Sequence, residues 1–534
     1  MKKKLLIGIV SFIVIITLVI SFGLSTFLLS PSVKASTKIT NKPITLSVWM
    51  APNPDMLVTA KSLNETPFAK ELEKRTGVKV NFIHPPVGQE NEQFNLVVAS
   101  GDLPDIMIWD WRNGYPGGVT KAIGDGVIIS LNDLFKKGYA PNFTKILKEN
   151  SLYDKLAKTD DGKYYVFPLI RQNGDPILTV YFGLVLRKDW LDDLKLQVPT
   201  TIDEWYKVLK AFKEKKGAKT PLTFLDNMLR AGNFFVGAYG VGIDFYLDKG
   251  KVKYGPAESG YKQFLATFNK WYKEKLLDPE WSSQDRKTID AKILSGSAGA
   301  FIGTPDSWVG VYLSLMKQKD PKFDLVGAPN PTLKKGDVPK FRFEDWPVTV
   351  ATNAGAAITG KCKQKEVACK WLDYWYSKEG QLLTNYGIQN VSYKIVNGKP
   401  RFTDFIKKNP NGWTFKQAMA RYVVSALGYG LGVQWKEPVM EQKFFPQQIE
   451  VVKVWSIGSS AWRIPPVTYT PEESKKLASI VTNLSTYRDE MYLKFIMGNT
   501  SLNNFDKYVN NLKRMGLNEA IKIIQTAVNR FNKR

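Results

Sequence analysis

The run Trp109-Asp110-Trp111-Arg112 sets two indoles, a carboxylate and a guanidinium in four consecutive positions, directly after the apolar Ile106-Met-Ile. An indole face suits the C–H side of a sugar ring, and Asp or Arg suits its hydroxyls. Successive strand side chains alternate between faces, so a strand ending this way is expected to turn at least one of them toward a ligand. Similar aromatic–polar neighbourhoods occur at Trp49, at Asp306 and Trp308 in Thr-Pro-Asp-Ser-Trp, at Glu344 and Trp346 in Glu-Asp-Trp-Pro, and at Trp435. Any one of these tryptophans, taken alone, is as easily a packing residue. Trp190, Trp205, Trp271, Trp371 and Trp375 fall on helical stripes and read as packing.

Other chemistry finds few residues to use. His84 is the single histidine, which excludes a two-His metal site and leaves a histidine-based triad little room. It stands before Pro85-Pro86 at a strand end and reads as a surface or packing residue. No phosphate-cradling Gly-x-x-x-x-Gly-Lys-Ser/Thr loop occurs, so nucleotide hydrolysis by this chain is not expected. Gly428-Tyr-Gly-Leu-Gly432 has the wrong spacing for a dinucleotide loop. No Gly-x-Ser-x-Gly nucleophile turn is present. Paired carboxylates could serve a glycosidase, but spacing along the chain does not test their separation. Asp102 and Asp105 read as turn caps, and Asp160-Asp161-Gly162-Lys163 as a hairpin turn. No metal and no cofactor is expected.

These residues must be positioned by a large fold. The chain has 534 residues, 44% hydrophobic and 13% aromatic. That length and apolar content exclude disorder and allow a sizeable core. Two cysteines exclude a disulfide scaffold or a Cys-built metal cluster. Cys362 and Cys369 flank and enter a helix expected over Lys365 to Tyr376. Seven helical residues rise about 10 Å, too far for a bridge unless the chain folds back. The net charge is +25. A Lys-rich solvated surface explains it, and an acidic ligand is the sharper alternative. The basic residues are scattered among Asp and Glu without a nucleic-acid module, so nucleic acid is not an expected partner.

Lys2-Lys-Lys4 precedes an apolar run from Leu5 to Leu29, and Val33-Lys-Ala35 offers small residues before Ser36. Residues 1–35 therefore read as a cleaved export signal or as an uncleaved N-terminal anchor, the run being long enough to span a bilayer. Either way the body is expected outside the cytoplasm.

Strand, helix, strand, helix, strand over Ile44–Trp109 means βαβ units and a mainly parallel sheet. Further strands are expected at Thr179–Arg187, Ala298–Gly303 and Asp345–Ile358. Hairpins are expected around Asp248-Lys-Gly250 and Asn397-Gly398. Helices should start at Thr201, with Glu204 completing a capping box, and at Thr470-Pro-Glu-Glu473. No internal repeat or low-complexity linker interrupts the chain, so α/β lobes sharing chain segments are expected.

The run Trp371-Leu-Asp-Tyr-Trp-Tyr-Ser-Lys-Glu-Gly-Gln-Leu-Leu-Thr-Asn-Tyr-Gly387, with Ser392-Tyr, the Asn-Gly-Lys-Pro hairpin and Thr403-Asp404, resembles the family-1 extracellular solute-binding proteins. Val98-Ala-Ser-Gly-Asp-Leu-Pro-Asp105, Arg187-Lys-Asp-Trp-Leu and the tail from Tyr487 to Gly516 resemble the same family. The likeness is to its long Gram-positive form, the LipO/LplA-like lipoproteins of ABC sugar importers. It runs over nearly all of the chain after residue 44.

The resemblance implies a two-lobe, periplasmic-binding-protein-like α/β fold of type II, with discontinuous lobes and hinge crossovers. The first lobe would take residues 44–170 and 346–410, the second 171–345 and 411–534. It implies ligand contacts from Trp49 to Asp55 (Asn53 and Asp55 among them), from Trp109, Asp110, Trp111 and Arg112, and from Trp308. It implies a non-enzymatic monomer that captures an oligosaccharide and delivers it to ABC permease subunits. The alternatives are a secreted hydrolase or lyase acting on anionic polysaccharide, and a surface glycan sensor. Many relatives carry a lipobox cysteine at the signal site; this chain shows none there, so a lipid anchor is not expected. Some carry a calcium loop after the helix containing Trp205. Here Glu214-Lys-Lys-Gly-Ala-Lys-Thr220 holds no carboxylate cluster, so that calcium site is not expected.

Overall fold

The computed structural model describes residues 38–350 and 354–534; the export-signal expectation for residues 1–35 lies outside them. In chain order the strands are β1 (Ile44–Trp49), β2 (Val78–Ile83), β3 (Ile106–Ile108), β4 (Leu169–Arg171), β5 (Gly183–Arg187), β6 (Leu222–Thr223), β7 (Phe245–Asp248), β8 (Lys251–Tyr254), β9 (Ala300–Gly303), β10 (Leu325–Ala328), β11 (Val348–Thr349), β12 (Ala356–Ile358), β13 (Tyr393–Val396), β14 (Lys399–Phe402) and β15 (Gly432–Gln434).

The first lobe is built on the sheet β12-β3-β1-β2. β1 pairs in parallel with β2 and with β3, as two βαβ units require, and β12 returns antiparallel to β3. The helix Pro67–Thr76 links β1 to β2. Thr66 caps it, Pro67 begins it and Gly77 (φ 72°) ends it in the left-handed conformation. The second lobe is built on β10-β5-β9-β6. There β5 and β9 are antiparallel, and β6 joins parallel to β9. The strand expected from Thr179 begins only at Gly183, because Asp175 caps a short helix over Pro176–Thr179.

A third sheet, β11-β4-β15, joins the lobes. At each of its strands the chain passes from one lobe to the other. β4 leaves the first lobe, β11 returns to it and β15 leaves it again. β4 is paired on both sides, antiparallel to β11 and parallel to β15. This moves one expected boundary. Residues 411–431 pack with the first lobe: Phe68 donates its N–H to the carbonyl of Arg421 at 3.2 Å, and the Arg421 guanidinium bonds the Thr59 carbonyl. The second lobe therefore resumes after β15, not at 411.

The helix at Thr470 carries the full capping box with Glu473 and runs Pro471–Met497. It lies against the helix Ser259–Lys273 of the second lobe, where Asn269 bonds the Phe495 carbonyl at 3.0 Å. At Thr201 only half the box forms. The Thr201 hydroxyl accepts from the Glu204 N–H, while the Glu204 carboxylate turns to the Thr200 N–H and hydroxyl at 2.8 Å. Both expected hairpins form, as β7–β8 and β13–β14; Asn397 and Gly398 take φ of 51° and 73°. The cysteines are buried free thiols, both pushed up to about 12, chiefly by burial. Among the described residues no helix is long and apolar enough to cross a membrane.

Candidate functional site

The aromatic strand end closes on itself. Trp109 stacks on Phe94 with centroids 4.4 Å apart, Trp49 meets Trp109 edge-on at 5.5 Å, and Trp111 meets Phe94 edge-on at 5.5 Å. Trp49, Trp109 and Trp111 are each at most 2% exposed and share one cluster with Met107, Tyr115 and Tyr165. Neither indole of the Trp109-Asp110-Trp111-Arg112 strand end reaches the surface, while Asp110 and Arg112 are half-buried. β3 is buried on both faces, as strands of a helix-covered α/β sheet are, so both sides of its extension are interior. Trp308 is also enclosed, stacked on Phe301 at 5.9 Å, with the Arg286 guanidinium 4.0 Å over its ring.

The polar members of the expected set have structural partners. Asp110 organises its own turn, accepting from the N–H groups of Arg112 and Asn113 and from the Asn113 amide at 2.8 Å. Arg112 is half-buried beside that turn. Asn53 caps the short helix Pro54–Leu57. Asn53 also lines a small cavity with His84, whose Nε2 accepts from the Leu63 N–H at 3.1 Å while Nδ1 lies 3.0 Å from the Met50 carbonyl. That assigns a neutral imidazole donating through Nδ1, and burial lowers its pKa. Glu344 binds Arg342 at 2.9 Å. Burial pushes its carboxyl up, but hydrogen bonds from Ser460 and Arg342 outweigh this and hold it below the usual range. Trp346 lies under the Arg463 guanidinium at 4.2 Å, and Trp435 donates its indole N–H to Gln381 at 2.9 Å.

What lies open between the lobes is a cavity of about 270 Å³ on the hinge sheet. Arg171 at the end of β4 and Gln434 at the end of β15 form its floor. Tyr181 with Leu178, the turn Thr304–Ser307, Gln442 and the segment Ala426–Gly428 with Lys416 complete it. Of the expected residues it includes Asp306; Asp55 stands behind Lys416 at 3.9 Å, and the Trp346 carbonyl accepts from Arg171 at 2.9 Å. The Asp306 carboxylate is fixed by the buried Lys443 ammonium at 2.6 Å and by the Gln448 amide at 3.1 Å. Arg171 pairs with Asp345 at 2.9 Å. The Tyr181 phenol sits beside Asp345 and is pushed up to about 12, first by burial and then by that carboxylate, so it remains a neutral hydroxyl. The wall thus offers one aromatic ring with amide, hydroxyl, carboxylate and guanidinium groups, a set that suits a polyhydroxylated molecule.

Arg171, Tyr181, Lys416, Gln434 and Gln442 were not among the expected residues. The signal that could find them is topological. Arg171 and Gln434 end the strands at which the chain changes lobes, and clefts form where lobes meet.

The sequence profile of the bacterial extracellular solute-binding proteins matches residues 61–382. The chain belongs to this family. Lipoprotein LipO of Bacillus subtilis (strain 168) is 26% identical over 488 residues, 86% of this chain and 88% of that protein. The fructooligosaccharide ABC transporter substrate-binding protein FusA of Streptococcus pneumoniae serotype 4 is 26% identical over 508 residues, 90% of this chain and 89% of that one. The crystal structure of alginate-binding protein AlgQ2 without calcium ion superposes with a TM-score of 0.73 at 27% identity, covering 93% of this chain and all of that one. The two-lobe binding-protein fold is therefore shown, and the relatives are of the same long form.

Proposed function

We propose that the protein is the substrate-binding component of an ABC importer. It captures an oligosaccharide outside the cell between its lobes and delivers it unaltered to membrane permease subunits. The observation that carries this reading is the cavity on the hinge sheet. Its floor residues Arg171 and Gln434 lie on crossing strands, and its walls come from both lobes. A ligand bonded to Tyr181 and Asp306 on one side and to Lys416 and the Ala426–Gly428 backbone on the other holds the lobes together. It shifts the population toward the closed form by the contacts that only this form completes.

The relatives support the same reading, since FusA is named for fructooligosaccharide and AlgQ2 for alginate. The protein would act as a monomer. Asp306 is the one carboxylate among the cavity's lining residues, and it is held in an ion pair with Lys443. That arrangement suits an acceptor for sugar hydroxyls better than the two facing carboxylates of a glycosidase.

Calorimetric titration of the purified protein with a glycan panel tests the reading, with small-angle scattering to follow closure. Binding of a sugar with a fall in the radius of gyration is expected. Heat from peptides and from no sugar rejects it.

A further inference from the structure

We infer that the ligand of this cleft is an electrically neutral oligosaccharide, selected against acidic ones by carboxylates paired one to one with the surrounding cations. This rests on the reading of the cavity as the sugar site. The chain as a whole carries +25, which by itself favours an acidic partner. The cavity does not share that excess. The two cations that line it each face an acid: Arg171 with Asp345 at 2.9 Å, and Lys416 with Asp55 at 3.9 Å. The three that flank it do too: Lys443 with Asp306 at 2.6 Å, Lys436 with Asp175 at 2.8 Å, and Arg286 with Asp290 at 2.6 Å.

Behind Tyr181, Arg342 and Arg463 share Glu344. They give their remaining bonds to backbone carbonyls: Arg342 to Ser456 and Gly458, Arg463 to Glu344 and Ser460. In a separate crevice of about 320 Å³ the arginine is likewise engaged, Arg530 being held between Asp160 and Glu473.

A hydroxyl donates and accepts at once, so it fits a wall of paired donors and acceptors without disturbing either. A uronate carboxylate only accepts. It would find the guanidinium and ammonium groups engaged and meet the resident carboxylates at close range. The looseness of one pair locates the selectivity. Lys416 and Asp55 are 3.9 Å apart with side chains 46% and 33% exposed, so Asp55 is the carboxylate whose removal frees a cation toward the cavity.

The experiment is calorimetry on the purified protein with two matched sets, neutral gluco-, manno-, galacto-, xylo- and fructo-oligosaccharides, and oligouronides, each at low and at high sodium chloride. A neutral sugar is expected to bind with less than about a twofold change between the two salt conditions, and uronides at least about tenfold more weakly. A uronide that binds more tightly than its neutral counterpart overturns this inference and leaves the sugar reading standing. No heat from either set overturns both. The Asp55→Asn variant is expected to raise the uronide-to-neutral affinity ratio by up to about fivefold, with a salt dependence. An unchanged ratio overturns the role given to Asp55.

Discussion

Arg534 and Asp160 meet across the two lobes. The Arg534 Nε and Nη2 atoms lie 2.8 and 2.7 Å from one oxygen of the Asp160 carboxylate, and the arginine side chain is 1% exposed. Its remaining N–H groups bond the Lys155 and Lys158 carbonyls and the Thr468 hydroxyl. The helix Leu517–Lys533, which leads to Arg534, also bonds the β7–β8 hairpin of the second lobe through Gln525, at 2.7 Å from the Val252 N–H. Asp160 belongs to the first lobe. The C-terminal helices therefore tie the lobes together independently of the hinge sheet.

Removing one partner of a buried ion pair strands the other, at a cost of about 3–5 kcal/mol. Asp160→Ala is expected to lose an amount in that range, read as a lower urea midpoint. Arg530→Ala removes an arginine that is 30% exposed and shared between Asp160 and Glu473, and these two partly screened pairs should lose about 1 kcal/mol or less each. Equal losses in the two variants would remove the distinction between the two arginines.

Tyr181 and Trp111 should separate binding from stability. Tyr181 lines the cavity, and Tyr181→Ala is expected to weaken sugar binding by about tenfold or more, which is about 1.4 kcal/mol. Trp111 is fully enclosed, and Trp111→Ala is expected to lower stability by about 3–5 kcal/mol. Titration calorimetry and urea unfolding on both variants check this. A Trp111 variant of normal stability that has lost binding would return the indole cluster to the ligand site.

Gly183 begins β5 directly under the Trp455 indole. A Cβ there would stand 2.4 Å from the ring, whose N–H is bonded to the Leu184 carbonyl at 2.9 Å. Gly183→Ala must push a buried ring off its site, and a loss of about 1–3 kcal/mol is expected by thermal or urea unfolding.

His84 gives the fold a pH dependence of known sign. Its pKa is lowered in the folded state, mainly by burial, from about 6.5 in an unfolded chain. Above about 6.5 both states hold the neutral ring and the stability is complete. As the pH falls below that value the unfolded chain takes up a proton first, so stability declines until the folded form titrates as well. The wild-type urea midpoint should fall more steeply than that of His84→Gln between pH 7 and pH 5. Parallel curves would contradict the assignment.

Local signals carried the fold further than they carried the site. The Asn397-Gly398 turn and the Thr470–Glu473 box act through bonds within a few residues of one another, and each formed where it was expected. The hinge was less legible, because β4, β11 and β15 are strands of two or three residues with too few positions to show a period. The candidate site was hard to read for a related reason. Trp109 and Trp111 carry the right chemistry, but Phe94, from the helix Glu90–Ser100, covers them, and nothing near residue 109 records that. Arg171 and Tyr181 look ordinary in sequence, and only the crossing of the chain brings them to the cavity.

Because β4 is bonded along both edges, the three tethers behave as a leaf spring more than as three loose cords. Such a plate flexes easily about the axis lying across its strands, whereas twisting would shear the pairing that sets Ile170 opposite both Val348 and Val433. As far as this sheet constrains them, the lobes keep essentially one way to move, like the arms of tongs, and the Arg534–Asp160 tie bears on that same motion. On the importer reading, the spacing between their outer tips would be the gauge of whether anything is held, open to a membrane complex without contact with the cargo.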